Sequence, residues 1–171
     1  MHIEIDDLSR PQVHALLEEH LASMYELSPP EQVFALDLSE LRSADITFWC
    51  VWDGGNLIGC GALKELSPTH GEVKSMRTPA AARKQGAGRA VLEHNISVAR
   101  QRGYARLSLE TGTHAAFEPA HALYRSYGFT ACGPFGSYHA NPHSVFMELK
   151  LGGECCLGSC LNGACRAGRN N

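Results

Sequence analysis

Arg83-Lys84-Gln85-Gly86-Ala87-Gly88-Arg89 separates a stretch of strand periodicity from one of helix periodicity. A glycine-rich turn that opens a helix leaves the first backbone N–H groups without intrahelical partners, at the positive end of the helix dipole. Such a turn is suited to cradle a diphosphate. From Lys74 to Arg106 there are eight basic side chains against Glu93 alone, in a chain whose net charge is −3. One anion site on an otherwise acidic body fits this asymmetry better than a duplex-binding surface does.

The same residues weaken two nucleotide-motif readings. A dinucleotide fingerprint would read Gly-x-Gly-x-x-Gly, and Val91 stands in the third glycine's place. A P-loop would carry Gly-Lys-Ser/Thr, which is absent.

Upstream of the turn, Ile3 and Ile5 alternate with charged residues as a short strand does. A helix is expected after Ser9 and Pro11, with Val13, Leu16, Leu17, His20, Leu21 and Met24 at helical spacing until Ser28-Pro29-Pro30 stops it. Glu31–Leu36 reads as one or two helical turns, and Leu38–Leu41 as a surface connection. Ile46–Trp52 is a β-rich run closed by Asp53-Gly54-Gly55-Asn56, a hairpin signal, and strands follow at Leu57–Leu66 and Gly71–Arg77. Downstream the pattern predicts a helix over Gly88–Arg102 ended by Gly103, a strand at Arg106–Glu110, a helix over Glu118–Tyr127 ended by Gly128, and a strand at Ser144–Leu151.

A meander followed by β-α-β and a further α-β predicts an α/β (α+β) domain. Its sheet is mixed, mostly antiparallel, with six to seven strands and helices on both faces. The domain is expected to span residues 1–151. With 44% apolar and 19% charged residues, the chain can bury a core without help.

No run approaches the ~20 apolar residues of a membrane span, and Met1–Asp7 carries neither a basic nor an apolar leader region, so a cytoplasmic protein with no membrane partner is expected. Of seven cysteines, Cys50, Cys60 and Cys132 read as buried thiols. Cys155, Cys156, Cys160 and Cys165 crowd a Gly/Cys-rich tail, residues 152–171, expected to be disordered and outside the fold. The nine histidines, among them His114, His121, His139 and His143, match no common zinc spacing, so no metal is expected.

Arg83-x-x-Gly86-x-Gly88 before a helix, with Leu123-Tyr124-Arg125-Ser126-Tyr127-Gly128-Phe129 further on, resembles the GNAT N-acetyltransferase superfamily. Glu72-Val73-Lys74-Ser75-Met76-Arg77-Thr78, Leu107–Gly112, Phe117–Ala120 and Ser144–Met147 resemble its YsnE-type subgroup. The resemblance implies the GNAT fold, splayed between the fourth and fifth strands, and acetyl-CoA as co-substrate.

On that resemblance, backbone groups of Met76, Arg77 and Thr78 hold the pantetheine arm, and Arg83, Lys84, Gln85, Gly86, Ala87, Gly88 and Arg89 hold the pyrophosphate. The Met76 N–H polarises the thioester carbonyl, and Tyr124 is the general acid at the departing sulfur. A lysine-like amine, with a reference pKa near 10.4, must lose a proton before it attacks. Glu72 is the first candidate base and Glu110 the second. The acceptor pocket is expected to include Trp49, Glu110, His114, Phe117, Phe135 and Tyr138.

No cysteine lies in a motif suited to a nucleophile, so direct attack in a ternary complex is expected. The acceptor is a primary amine of a small molecule, amino acid or peptide, not a nucleic acid. A noncatalytic acyl-CoA sensor is the alternative reading, and a homodimer through an exposed sheet edge is compatible with the pattern.

Overall fold

Strand β2 (Ile46–Asp53) sends alternate side chains into two different cores. Phe48, Cys50 and Trp52 pack with Val13, Leu16, Leu17 and Leu41, whereas Trp49 and Val51 pack on the other face with Leu92, Ile96 and Val91. A sheet buried on both faces must be covered by helices on both, and here it is. The computed structural model describes residues 1–34 and 37–152.

The remaining elements are β1 (His2–Ile5), α1 (Pro11–Leu27), α2 (Leu38–Leu41), β3 (Asn56–Ser67), β4 (His70–Arg77), α3 (Ala87–Gln101), β5 (Arg106–Gly112), α4 (Glu118–Ser126), β6 (Thr130–Ala131) and β7 (Ser144–Lys150). The seven strands form one sheet in the order β1-β2-β3-β4-β5-β7-β6. Every neighbouring pair is antiparallel except β4 and β5, which run parallel because α3 crosses over between them. Helices α1 and α2 cover one face, and α3 and α4 the other.

Most boundaries fall within a residue or two of those expected from periodicity. Three features differ. Leu38–Leu41 is a helical turn with Leu41 buried, closed by a reciprocal cap in which Glu40 N–H donates to Asp37 at 2.9 Å and Asp37 N–H donates to Glu40 at 2.9 Å. Strand β6 has only two residues, too few for any period to register. Cys132 is half-buried rather than buried, because β6 lies at the sheet edge, while Cys50 and Cys60 are buried as expected. In the segment expected to make one or two turns, Pro30–Gln32 forms one 3-10 turn, and residues 35 and 36 lie outside the described residues, as do residues 153–171 of the tail.

Helix α3 lies close on β3, and Gly61 is what permits it. A Cβ at Gly61 would overlap the Val91 side chain and come within 3.2 Å of Met76 Cγ. Gly61→Ala is expected to destabilise the fold by about 1–3 kcal/mol through overpacking. Gly133→Ala, where a Cβ meets nothing within 4 Å, is expected to stay within about 0.5 kcal/mol of wild type. Urea unfolding of the two variants checks the contrast.

Candidate active site

The parallel pairing of β4 with β5 lasts for only three residue pairs, His70–Arg106, Gly71–Leu107 and Glu72–Ser108. Beyond Glu72 the two strands part. β5 stays paired with β7 as far as Gly112, whereas β4 follows β3 through a bulge. Between Lys74 and Arg77 β4 advances three residues while β3 advances two, and Ser75 takes a left-handed φ of 52° to absorb the extra one. A left-handed non-glycine residue is costly, and such strain concentrates at functional sites.

Helix α3 begins at the parted ends. Its N-cap Gly86 has φ 87°, with open space around it and no side-chain cap. The first helical bond into the turn is Ala90 N–H to Gly86 O at 3.0 Å, so the amides of Ala87, Gly88 and Arg89 precede the hydrogen-bonded ladder. Ala87 is buried and anchors this turn, while Arg83, Lys84, Gln85 and Arg89 are exposed around it. Thr78 lies beside Gly88. Open amides, a helix N-terminus and surrounding cations are the donor set a diphosphate requires, so these residues fit the phosphate end of acetyl-CoA.

One cleft of about 110 Å³ opens where the strands separate, and Glu72, Met76, Glu110, Phe117 and Tyr124 all line it. Tyr124 comes from α4, and its hydroxyl lies 4.0 Å from Met76 Sδ. Burial, with a smaller contribution from the Glu110 charge, pushes the Tyr124 phenol up to about 12. Burial likewise raises Glu110 above the usual carboxylate value, against the lowering effect of a 2.7 Å hydrogen bond from Ser144 Oγ and of the Lys74 charge.

Glu72 has different company. It is buried, pairs with Lys74 Nζ at 2.9 Å, and accepts from the Tyr138 hydroxyl at 2.6 Å. Lys74 donates to Tyr138 as well, at 2.5 Å, which closes a three-member network. Tyr138 therefore reaches the site through hydrogen bonds from the loop between β6 and β7. Its ring meets Phe34 and Phe135, each with centroids at 5.1 Å.

The structure does not bring Trp49 or His114 to the cleft. Trp49 is buried in the α3-side core, its ring 5.0 Å from that of His94, because the alternation of β2 turns it away. His114 is exposed and accepts from Ala116 N–H at 3.1 Å, capping a short turn. Phe135 packs behind Tyr138 against Phe146 and His70. Lining residues absent from the sequence-derived set include His20, Met24, Phe34, Lys74 and Ser75. His20 and Met24 stand in the apolar stripe of α1, and Lys74 shares the strand face of Glu72. These two spacings were the available signals.

Burial, with a smaller contribution from the neighbouring Arg77 charge, pushes the His20 imidazole down to about 4. Its folded pKa is depressed, so the unfolded chain takes up this proton first as pH falls below 6.5. The resulting loss of stability accrues between pH 6.5 and about 4 and reaches about 3 kcal/mol at most. His20→Gln is expected to flatten that part of the stability–pH curve, read by urea unfolding across the interval.

Among the described residues no cluster of His, Cys, Asp or Glu is placed to hold a metal ion, and no helix is long and apolar enough to cross a membrane. Residues 13–129 match the family model described as Acetyltransferase (GNAT) family. The chain belongs to the GNAT acetyltransferase family.

Membership makes it an acyltransferase, and relatives named as N-acetyltransferases agree. The chain is 56% identical to the uncharacterized N-acetyltransferase YsnE of Bacillus subtilis over 151 residues, 88% of this chain and all of that protein. It is 40% identical to the IAA acetyltransferase of Azospirillum brasilense, covering 80% of this chain and 88% of that protein. A GNAT family acetyltransferase from Elizabethkingia anophelis, solved with acetyl-CoA bound, shares the fold, with a TM-score of 0.63 and 17% identity over 87% of this chain and 97% of that one.

Proposed function

We propose that this GNAT enzyme transfers an acetyl group from acetyl-CoA directly to a primary amine held in the same cleft. The observation that carries the reading is the meeting, where β4 leaves β5, of a carboxylate raised by burial and a phenol that keeps its proton. Acetyl-CoA supplies the activated thioester. The amides of Ala87, Gly88 and Arg89 with the side chains of Arg83, Lys84, Gln85 and Arg89 hold its phosphates, and backbone groups of Met76, Arg77 and Thr78 hold the arm. The Met76 N–H polarises the acetyl carbonyl.

Glu110, rather than Glu72, takes the proton from the incoming ammonium. Glu72 already carries Lys74 and Tyr138, so protonating it would break an ion pair and a hydrogen bond, whereas Glu110 carries one neutral donor. A carboxylate raised above its ordinary value is also a better match to proton transfer near neutral pH. As the amide bond forms and the carbon–sulfur bond breaks, Tyr124 donates a hydrogen bond to the departing sulfur. With the phenol near 12 and a free thiol near 8.5, the proton stays largely with the tyrosine oxygen while the sulfur leaves, and the second proton that the nitrogen sheds as the amide forms passes to the departing thiolate or to solvent. Glu72 and Lys74 hold Tyr138 over the acceptor end, and Phe117 walls it.

Initial rates of CoA release test this when acetyl-CoA and amine are varied together. Intersecting reciprocal plots support direct transfer. Parallel plots indicate an acyl-enzyme, and tight acetyl-CoA binding with no amine-dependent release indicates a sensor module.

A further inference from the structure

Three buried polar atoms flank the seam between α1 and β4: His20 Nδ1, Ser75 Oγ and Arg77 Nε. None has a hydrogen-bond partner among the described residues. Buried polar groups are paired in the great majority of cases, so three orphans along one seam leave hydrogen-bonding capacity that water or a ligand would fill. His20 and Ser75 both line the cleft. Arg77 projects to the same side of the sheet, where its terminal nitrogen reaches Glu19 at 2.9 Å and Ser23 at 3.0 Å, both on the helix that carries His20. The β4 bulge makes this placement possible. It lets Lys74 and Arg77, three residues apart, both project to the α1 side, with Ser75 between them in its left-handed conformation.

The charges across the cleft are polarised. On β5, Glu110 presents a carboxylate whose one hydrogen-bond partner among the described residues is the neutral Ser144 hydroxyl. On β4, the Glu72 charge is matched by Lys74, and the Arg77 guanidinium is mostly buried against a Glu19 carboxylate that is 51% exposed and therefore screened. The seam thus offers unpaired polar groups beside the Arg77 cation, and the far wall offers a negative charge. A small molecule that satisfies both ends carries an ammonium and an anion.

Resting on the transferase reading above, we infer that the acceptor is a small carboxylate-bearing amine of the amino-acid class, its ammonium directed to Glu110 and its carboxylate held by His20, Ser75 and Arg77.

The test uses matched probes: standard L-amino acids, their carboxamides and their decarboxylated amines. Each is measured twice, by calorimetric binding to the CoA-loaded protein and by CoA release from acetyl-CoA. At least one amino acid is expected to bind at least tenfold more tightly than its decarboxylated amine and its carboxamide. In Ser75→Gly, which suits the left-handed backbone, and in His20→Leu, the acid-to-amine ratio in kcat/KM is expected to collapse toward one, mainly through KM. Arg77→Gln repeats the test at the third position. CoA binding by each variant reports that it is folded.

Amino acids that bind with this preference but release no CoA would uphold the carboxylate site and sink the transferase reading. Decarboxylated amines or carboxamides turned over as well as the acids would uphold the transferase and overturn the carboxylate site. The carboxylate site is overturned equally if neither acids nor amines bind, or if the variants weaken both classes to the same extent.

Discussion

Glu110→Gln is expected to lower kcat at saturating acetyl-CoA by about 100-fold or more, the usual cost of removing a positioned general base. Glutamine keeps the shape and can still bond to Ser144 Oγ, so the loss reports proton transfer rather than collapse of the cleft. The pH dependence sharpens the test. In the proposed role Glu110 acts when ionised, and burial raises its pKa above 4.5, so activity is expected above that raised value and is expected to be lost as pH falls through it. The glutamine variant is expected to lack this acid limb in kcat/KM while retaining acetyl-CoA affinity. A variant that keeps the limb would transfer the role to Glu72 or to water.

Tyr124→Phe is expected to lower kcat by about 10- to 100-fold, the worth of one hydrogen bond to a charged atom. The ring's packing against Phe129, with centroids at 5.9 Å, is unchanged in phenylalanine, so stability is expected to move little. Because the wild-type phenol titrates at about 12, no basic limb from this group is expected in the profile below pH 10. Single-turnover rates with and without amine separate the chemical step from CoA release. A phenylalanine variant with wild-type single-turnover rates would remove Tyr124 from the chemistry.

What could be read from the chain and what could not divide along local and non-local lines. The glycine-rich turn at Arg83–Arg89 and the segment Leu123–Phe129 are contiguous, and their local patterns located α3 and α4 and pointed to the family. The splay is different, since it depends on where the register of β4 with β5 runs out, and those strands are separated by a helix. The bulge at Ser75 is equally silent, because serine has no propensity that announces a left-handed φ.

Trp49 lies away from the expected pocket for a reason of parity: one residue's shift along β2 exchanges the α3 core for the opposite face. His20 sits visibly on the apolar stripe of α1, but only the docking of that helix against β4 brings it to the cleft. The order of the two carboxylates was also beyond the chain. Glu72 and Glu110 both stand near strand ends, and it is their partners, Lys74 and Tyr138 against Ser144 alone, that carry the proposal of Glu110 over Glu72 as the base. The cap joining Asp37 and Glu40, by contrast, is encoded in four contiguous residues, so its helical turn was legible where a surface connection was expected.

Direct acetyl transfer to an amine in this cleft would leave no acyl group on the protein. Mass spectrometry after incubation with acetyl-CoA and the amino-acid panel tests it most directly, following both the small molecules and the intact protein. The expected result is an N-acetylated acceptor formed in step with free CoA, on a protein whose mass is unchanged. Acetyl-CoA retained intact beside every acceptor, or an acetyl group found on the protein and passed from there to the amine, would contradict it.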